Sequence, residues 1–369
     1  MWTQTAVTRK LNIKLPIVQG PFGGGPSSIA LAAAVSNAGG LGSFGAYSYL
    51  PEQLKQLVND LRAQTTHAFA INLWVPYTSP TEQRITEAGY RDTIAILHPY
   101  YDEVNAKAPS YDDLFRSPNF DAQVEAILAA APPAFSFVFG TPSREALKAC
   151  RQRGIVTIGT ATHVDEAVAL EDAGVDLIVA TGSEAGGHRA SFMNEADESP
   201  ANSALIPQVT DLVKTPVIAA GGIVDGRSIV SAFTFGAGAV QIGTAFLACD
   251  ESNASATHKA AIRSERARHT TLTRGFSGRY ARGIKNRFLL EMQSKRDSLP
   301  SFPYQNLLTQ PMRQAAAKAN NAELQSLWAG QNAPLIKHTR AAELINFLIA
   351  DTNRVLESLH RMQPAALER

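Results

Sequence analysis

Residues 154–182, GIVTIGTATHVDEAVALEDAGVDLIVATG, decide the fold. Two short apolar runs, GIVTIGTAT and VDLIVATG, flank HVDEAVALEDAG, a stretch of helical length that ends on Gly174. Runs rich in Val and Ile and apolar on both faces suit buried parallel strands, whereas a half-exposed antiparallel strand would alternate. Gly174 stands where the helix must turn back into a strand. The segment therefore reads as strand, helix, strand.

The same unit recurs in both directions. PIVQG, GLGSFGA, HAFAINLW and AFSFVFG precede the segment; TPVIAAGG and GAVQIGT follow it. Between most of them lie helical stretches such as SSIALAAAVSNAGG, PEQLKQLVNDLRAQ, SREALKACRQRG and DGRSIVSAFTFGAG, with Ser143 or Thr141 as a cap and Gly39, Gly154 and Gly236 as turns. Eight strand–helix units in succession, with no GxGxxG opening the first helix, predict an α/β fold of the closed (β/α)8 TIM-barrel type over an open doubly wound sheet.

Two segments break the rhythm and set the expected domain plan. Residues 1–75 and 118–250 form the barrel, 76–117 and 251–320 are insertions after strands 3 and 8, and 321–369 pack back on the barrel, helical from Ala341. Long loops inside a compact fold cover a site or build a small extra domain. Both insertions start at strand C-terminal ends, so a smaller second domain over the barrel mouth is expected.

Composition narrows the partners. Of 369 residues 45% are hydrophobic and 18% charged, and 34 basic against 33 acidic side chains leave a formal net charge of +1. That balance excludes electrostatic adhesion to nucleic acid or to an anionic membrane and leaves a small molecule as the partner. Cys150 and Cys249 lack metal-site spacing, so no metal is expected, and two thiols do not make a disulfide framework. The N-terminus has no signal-peptide core, and no run reaches about 18 apolar residues. The expectation is a cytoplasmic protein, monomer or homodimer.

In a barrel the strand C-terminal ends form the functional face. After the first strand comes QGPFGGG, where Gln19, Gly20, Pro21 and Phe22 open a glycine-rich stretch that lets backbone approach a flat ligand or simply makes a tight turn. Asn72 ends the third strand with an amide able to donate and accept. Gly221 and Gly222, then Gln241, Ile242, Gly243 and Thr244, follow strands seven and eight, where barrels often bind phosphate. A monophosphate on a planar ring, such as FMN, fits both loops. After strand six, ATGSEAGGHR puts Thr181, Gly182, Gly186 and Gly187 around His188, whose ring titrates near neutrality and suits a general base. Glu184 reads as a structural hydrogen-bonding partner, with a surface ion pair for Arg189.

Taken together, QGPFGGG, AINLWVP, GTAT, GSEAGGHR, AAGGI, QIGTAF and WAGQ resemble the nitronate monooxygenases, the first two especially the class I branch. The resemblance covers nearly the whole chain. It implies an FMN-bearing barrel that oxidises alkyl nitronates, notably propionate 3-nitronate, with dioxygen to a carbonyl product and nitrite, without NAD(P)H. His188 then matches the catalytic histidine, and Asn72, Thr181, Gly186, Gly222, Gln241, Ile242, Gly243 and Thr244 match FMN contacts. Gly330 and Gln331 become flavin neighbours. Tyr280, Arg282 or Lys285 could meet a substrate carboxylate or form a solvated lid face. The nearest rival is a flavin-dependent enoyl-acyl carrier protein reductase, which needs NAD(P)H and an acyl channel. A flavin-binding sensor without turnover would have no need of His188.

Overall fold

A computed structural model describes residues 2–76, 84–193 and 199–361. Eight parallel strands form one sheet: β1 (Ile17–Gln19), β2 (Gly42–Gly45), β3 (Phe69–Trp74), β4 (Ala134–Val138), β5 (Val156–Ala161), β6 (Leu177–Thr181), β7 (Val217–Ala220) and β8 (Ala239–Ile242). Neighbours run in sequence order from β2 to β8, and β8 pairs in parallel with β1, Val18 lying opposite Gln241. The last seam is thin. Leu41 N–H donates to Ile17 O at 2.9 Å and Gln19 N–H to Leu41 O at 2.8 Å, which closes β1 onto β2. The barrel is a (β/α)8 barrel.

Strand burial on both faces explains the uninterrupted apolar runs. Val18, Ala70, Ala134, Ile158, Val179, Ile218 and Ala239 pack together with Val7 and Leu11 of the short helix Ala6–Leu11, which plugs one end. A larger apolar layer, including Leu31, Leu54, Ile127, Leu170 and Ile229, lies between strands and helices. Ser143 caps its helix through a 3.1 Å bond from Ala146 N–H. Gly39, Gly154, Gly174 and Gly236 all have positive φ, between 70° and 100°, where each helix turns back into the sheet.

A second buried cluster is shared between distant parts of the chain. Ile85, Leu97, Tyr100, Tyr101 and Leu114 follow β3; Phe276, Phe288, Met292, Leu308 and Met312 follow β8. Helices Glu87–Glu103 and Tyr304–Lys318 carry much of it. Residues 77–83, at the start of the first insertion, lie outside the described residues. A small antiparallel sheet completes this region: Thr270–Thr273 pairs with Ala281–Ile284, which pairs with Gly187–His188 from the loop after β6. That third strand ties the barrel loop bearing His188 to the second insertion.

The helix Ala341–Arg361 packs on Gly226–Thr234 and Ile29–Asn37. Asp351 accepts Gly226 N–H at 2.8 Å, and Trp2 Nε1 donates to Asn353 Oδ1 at 2.8 Å, joining the chain's two ends. Cys150 and Cys249 are both free and buried. Among the described residues no helix is long and apolar enough to cross a membrane, and no metal-binding cluster of His, Cys, Asp and Glu exists.

Candidate active site

Where the strands end, their loops surround one cavity. Gly20, Pro21 and Phe22 line it from the loop after β1, Asn72 from β3 and Thr181 from the end of β6. Gly186, Gly187 and His188 enter from the loop after β6; Gly221 and Gly222 follow β7; Gln241, Gly243 and Thr244 come from β8 and its end. Residues scattered over more than two hundred positions thus converge because every strand of a parallel barrel ends on the same side.

Two of the expected cofactor residues stand apart. Gln19 is fully buried and spends its amide on the protein: Nε2 donates to Gly20 O and Ser43 O, each at 2.9 Å, and Oε1 accepts Ser43 N–H at 3.1 Å. It is a strut across the thin β1–β2 seam and does not line the cavity. Ile242 points the other way along β8 from Gln241, into the apolar layer beneath the helices.

The segment after β6 is held by backbone acceptors. Glu184 accepts Asn202 N–H at 3.0 Å. Arg189 makes no surface ion pair: it is buried, and its guanidinium donates to Ser183 O at 2.6 Å and Ala185 O at 3.1 Å. Arg189 N–H donates to Tyr280 O at 2.8 Å, and Arg279 donates to Arg189 O at 3.1 Å and to Ser191 O. Arg282 donates to Ser183 O at 3.1 Å. The loop's carbonyls accept from all three arginines because each C=O has two acceptor sites, and the Glu184 carboxylate favours the charge of Arg189 and Arg282.

The loop's glycines serve two purposes. A Cβ on Gly186 would sit 2.5 Å from Ala329 C and Gly330 N, so this glycine admits the returning 329–330 backbone. Gly187 has φ +77° with open space around it, and only its lack of a side chain lets the chain turn His188 into the cavity. A Cβ on Gly243 would meet nothing nearer than Phe22 at 4.0 Å, which leaves the β8 loop bare toward the cavity.

His188 has a buried Nε2 with no hydrogen-bond partner. Its ring lies 5.4 Å from Trp74 and 5.5 Å from Trp328, centroid to centroid. Burial in this aromatic pocket, reinforced by the Arg279 and Arg313 charges, pushes its pKa down to about 3. At neutral pH the ring is an uncharged base with one free nitrogen lone pair or N–H aimed at a ligand space.

Tyr280, Arg282 and Lys285 do not line the cavity; Lys285 is exposed and Tyr280 lies under Arg274. Gly330 lines it, whereas Gln331 is exposed and only its N–H is engaged, with Glu184 O at 3.0 Å. Several lining residues carried no signal in the sequence. Tyr47 stacks on Trp74 at 3.8 Å, and Phe139 is held at φ 70°, a strained conformation for a bulky residue. His258 faces Trp328 O at 2.9 Å through Nε2, and burial lowers its pKa to about 4. Arg313 reaches in from the helix Tyr304–Lys318, whose stretch TQPMRQAAAK looks like any amphipathic helix. Among the described residues the lining contains Arg313 and two histidines and no carboxylate.

A family model described as nitronate monooxygenase matches residues 4–351. Probable nitronate monooxygenases from Staphylococcus aureus strains MSSA476 and MRSA252 are each 38% identical over 359 residues, covering 97% of this chain and 99% of theirs. The solved nitroalkane oxidase from Streptomyces ansochromogenes superposes with a TM-score of 0.88 at 35% identity, covering 96% of this chain and 100% of its own. FabK from Thermotoga maritima is more distant, with a TM-score of 0.74 at 26% identity over 98% of this chain and 99% of its own. A neutral histidine in a cavity whose described lining has no carboxylate, at the mouth of a barrel shared over nearly its full length with these proteins, makes this an enzyme, a flavin-dependent oxidoreductase, and the chain belongs to the nitronate monooxygenase family.

Proposed function

We propose that the protein is an FMN-dependent nitronate monooxygenase that oxidises alkyl nitronates, notably propionate 3-nitronate, with dioxygen to a carbonyl product and nitrite, without NAD(P)H. The observation that carries this reading is the unpartnered Nε2 of His188 in a cavity whose described lining holds the cation Arg313 and no carboxylate. The one cation in the described lining favours a small anion.

The residues present fit FMN. Gly221, Gly222 and Gly243 leave bare backbone after β7 and β8, the usual barrel place for a phosphate, and a Cβ at Gly243 would project into open cavity. Asn202 and Asn332 hold the Gly221 and Gly222 carbonyls, each at 2.5 Å, which fixes the β7 loop. Gly186, Gly187, Gly20, Pro21 and Phe22 would meet the flat ring; Asn72, Thr181, Gln241 and Thr244 supply polar groups. FMN, when bound, supplies the electron acceptor for the nitronate and the means of engaging dioxygen.

His188 does the protein's share of proton chemistry. Being neutral, its free nitrogen takes the α-proton of a nitroalkane or hydrogen-bonds a nitronate that arrives already ionised. Trp74, Phe139 and Trp328 close round the ring and exclude water, which strengthens each polar contact to the substrate. We assign 76–117 and 251–320 to a lid domain over this site, with a soluble small-molecule turnover in the cytoplasm.

Anaerobic mixing tests the reading. A nitronate added without oxygen should bleach the yellow flavin absorbance, with NADH absent. Flavin that stays oxidised with nitronate but bleaches with NADH, and reoxidises with an enoyl thioester, would move the protein to the reductase alternative.

A further inference from the structure

The turn after β7 is gripped by its carbonyls. Asn202 Nδ2 donates to Gly221 O and Asn332 Nδ2 to Gly222 O. The two amides come from different parts of the chain: Asn202 opens the helix Asn202–Leu212 after β6, and Asn332 lies in the C-terminal segment. In a planar trans peptide the C=O and the N–H point to opposite sides. Pinning Gly221 O and Gly222 O therefore turns Gly222 N–H and Ile223 N–H away from the asparagines. Among the described residues neither N–H has a hydrogen-bond partner, although Ile223 is buried and both residues line the cavity. Such donors are rare and costly unless a ligand accepts from them.

The backbone here is shaped for an anion. Gly221 and Gly222 have φ +110° and +65°, and successive N–H groups released at such a turn make an anion-binding concavity. Glu184 stands behind both amides: its carboxylate accepts Asn202 N–H at 3.0 Å, and its backbone O accepts Gln331 N–H, next to Asn332, at 3.0 Å. A Cβ on Gly182 would overlap Asn202 Oδ1 and Glu184 Oε2, so that glycine makes room for the arrangement. An amide that donates to a peptide carbonyl also polarises the N–H across the same peptide bond, which strengthens its grip on a negative charge.

We propose that Asn202 and Asn332 are positioning residues for the cofactor phosphate, which aim the Gly222 and Ile223 N–H groups at the anion by holding the carbonyls on the far side of the turn. This rests on the FMN reading above. It gives Glu184 and Gly182 a purpose in setting Asn202, and it makes the C-terminal segment part of what selects a phosphorylated flavin.

The test compares two flavins on the full chain. Wild type, Asn202→Ala, Asn332→Ala and Asn332→Asp are each loaded with FMN or with riboflavin, which lacks the phosphate. Dissociation constants are read from the flavin fluorescence that returns on serial dilution. Wild type should prefer FMN, and each alanine variant should lose roughly tenfold of that preference, about the worth of one hydrogen bond to a charged group, with riboflavin affinity unchanged. Asn332→Asp keeps the side chain's size but has no donor when ionised, and should lose at least as much. A preference kept in all variants, or FMN and riboflavin weakened equally, would overturn the assignment. Wild type that holds both flavins equally well would overturn it together with the phosphate place after β7. If the variants lose the preference but wild type oxidises no nitronate, the nitronate reading falls while the phosphate assignment stands.

Discussion

At the residue scale, the chemistry converges on His188. Its Nε2 is buried and unpaired, and burial beside Arg279 and Arg313 keeps the ring neutral down to about pH 3. The sign of that shift matters for catalysis. A base with its pKa pushed down is already in its working form across the neutral range, so the rate with a neutral nitroalkane should show no ascending limb near pH 6.5. An ordinary histidine would give one there. On the proposed reading, in which the glycine loops would hold the flavin, His188→Asn should retain flavin and should lose roughly 10²–10⁴-fold in kcat/KM for neutral nitroalkanes. Flavin content by absorbance and initial rates across pH check both parts; undiminished turnover removes the base assignment.

The residue scale is also where sequence and structure part. His188 and the glycines of the β7 and β8 loops were legible, since a strand end followed by small residues marks a barrel mouth. Arg313, His258 and Tyr47 were not. Each stands in a stretch of unremarkable helix or loop and acquires meaning only when the second insertion folds over the barrel. Arg189 misled for the opposite reason: an arginine after a histidine reads as exposed, yet it is buried and bonded to the carbonyls of its own loop.

At the scale of elements, the strands were readable because each is apolar on both faces, which follows from lying between a packed barrel interior and a layer of helices. What holds the seam between β1 and β2 was not readable. Periodicity says nothing of a buried amide, and Gln19 looked like the start of a ligand loop. The structure makes it a cross-strand brace through Gly20 O, Ser43 O and Ser43 N–H. Gln19→Leu should therefore cost about 1–3 kcal/mol, the penalty for leaving buried backbone groups unpaired, with flavin affinity little altered. Urea unfolding and a flavin titration separate the outcomes: stability kept but flavin affinity lost would restore Gln19 to the cofactor site. The two-residue strand Gly187–His188 is another element too short for any sequence pattern, yet it joins the loop after β6 to Ala281–Ile284.

At the scale of the whole molecule, a parallel barrel brings eight loop ends to one mouth, and the insertions after β3 and β8 share a second apolar cluster beside it. That arrangement divides the work between a barrel presenting bare backbone and aromatic walls, an inserted region adding Asn306 and Arg313, and the C-terminal segment adding Trp328 to the same cavity. The central claim is that this cavity oxidises a nitronate with oxygen alone. It is tested most directly by oxygen consumption of the purified, flavin-loaded protein with propionate 3-nitronate and no NADH, with nitrite assayed at the end. The account predicts rapid uptake accompanied by nitrite. No uptake, with NADH consumed only when an enoyl thioester is supplied, would contradict it.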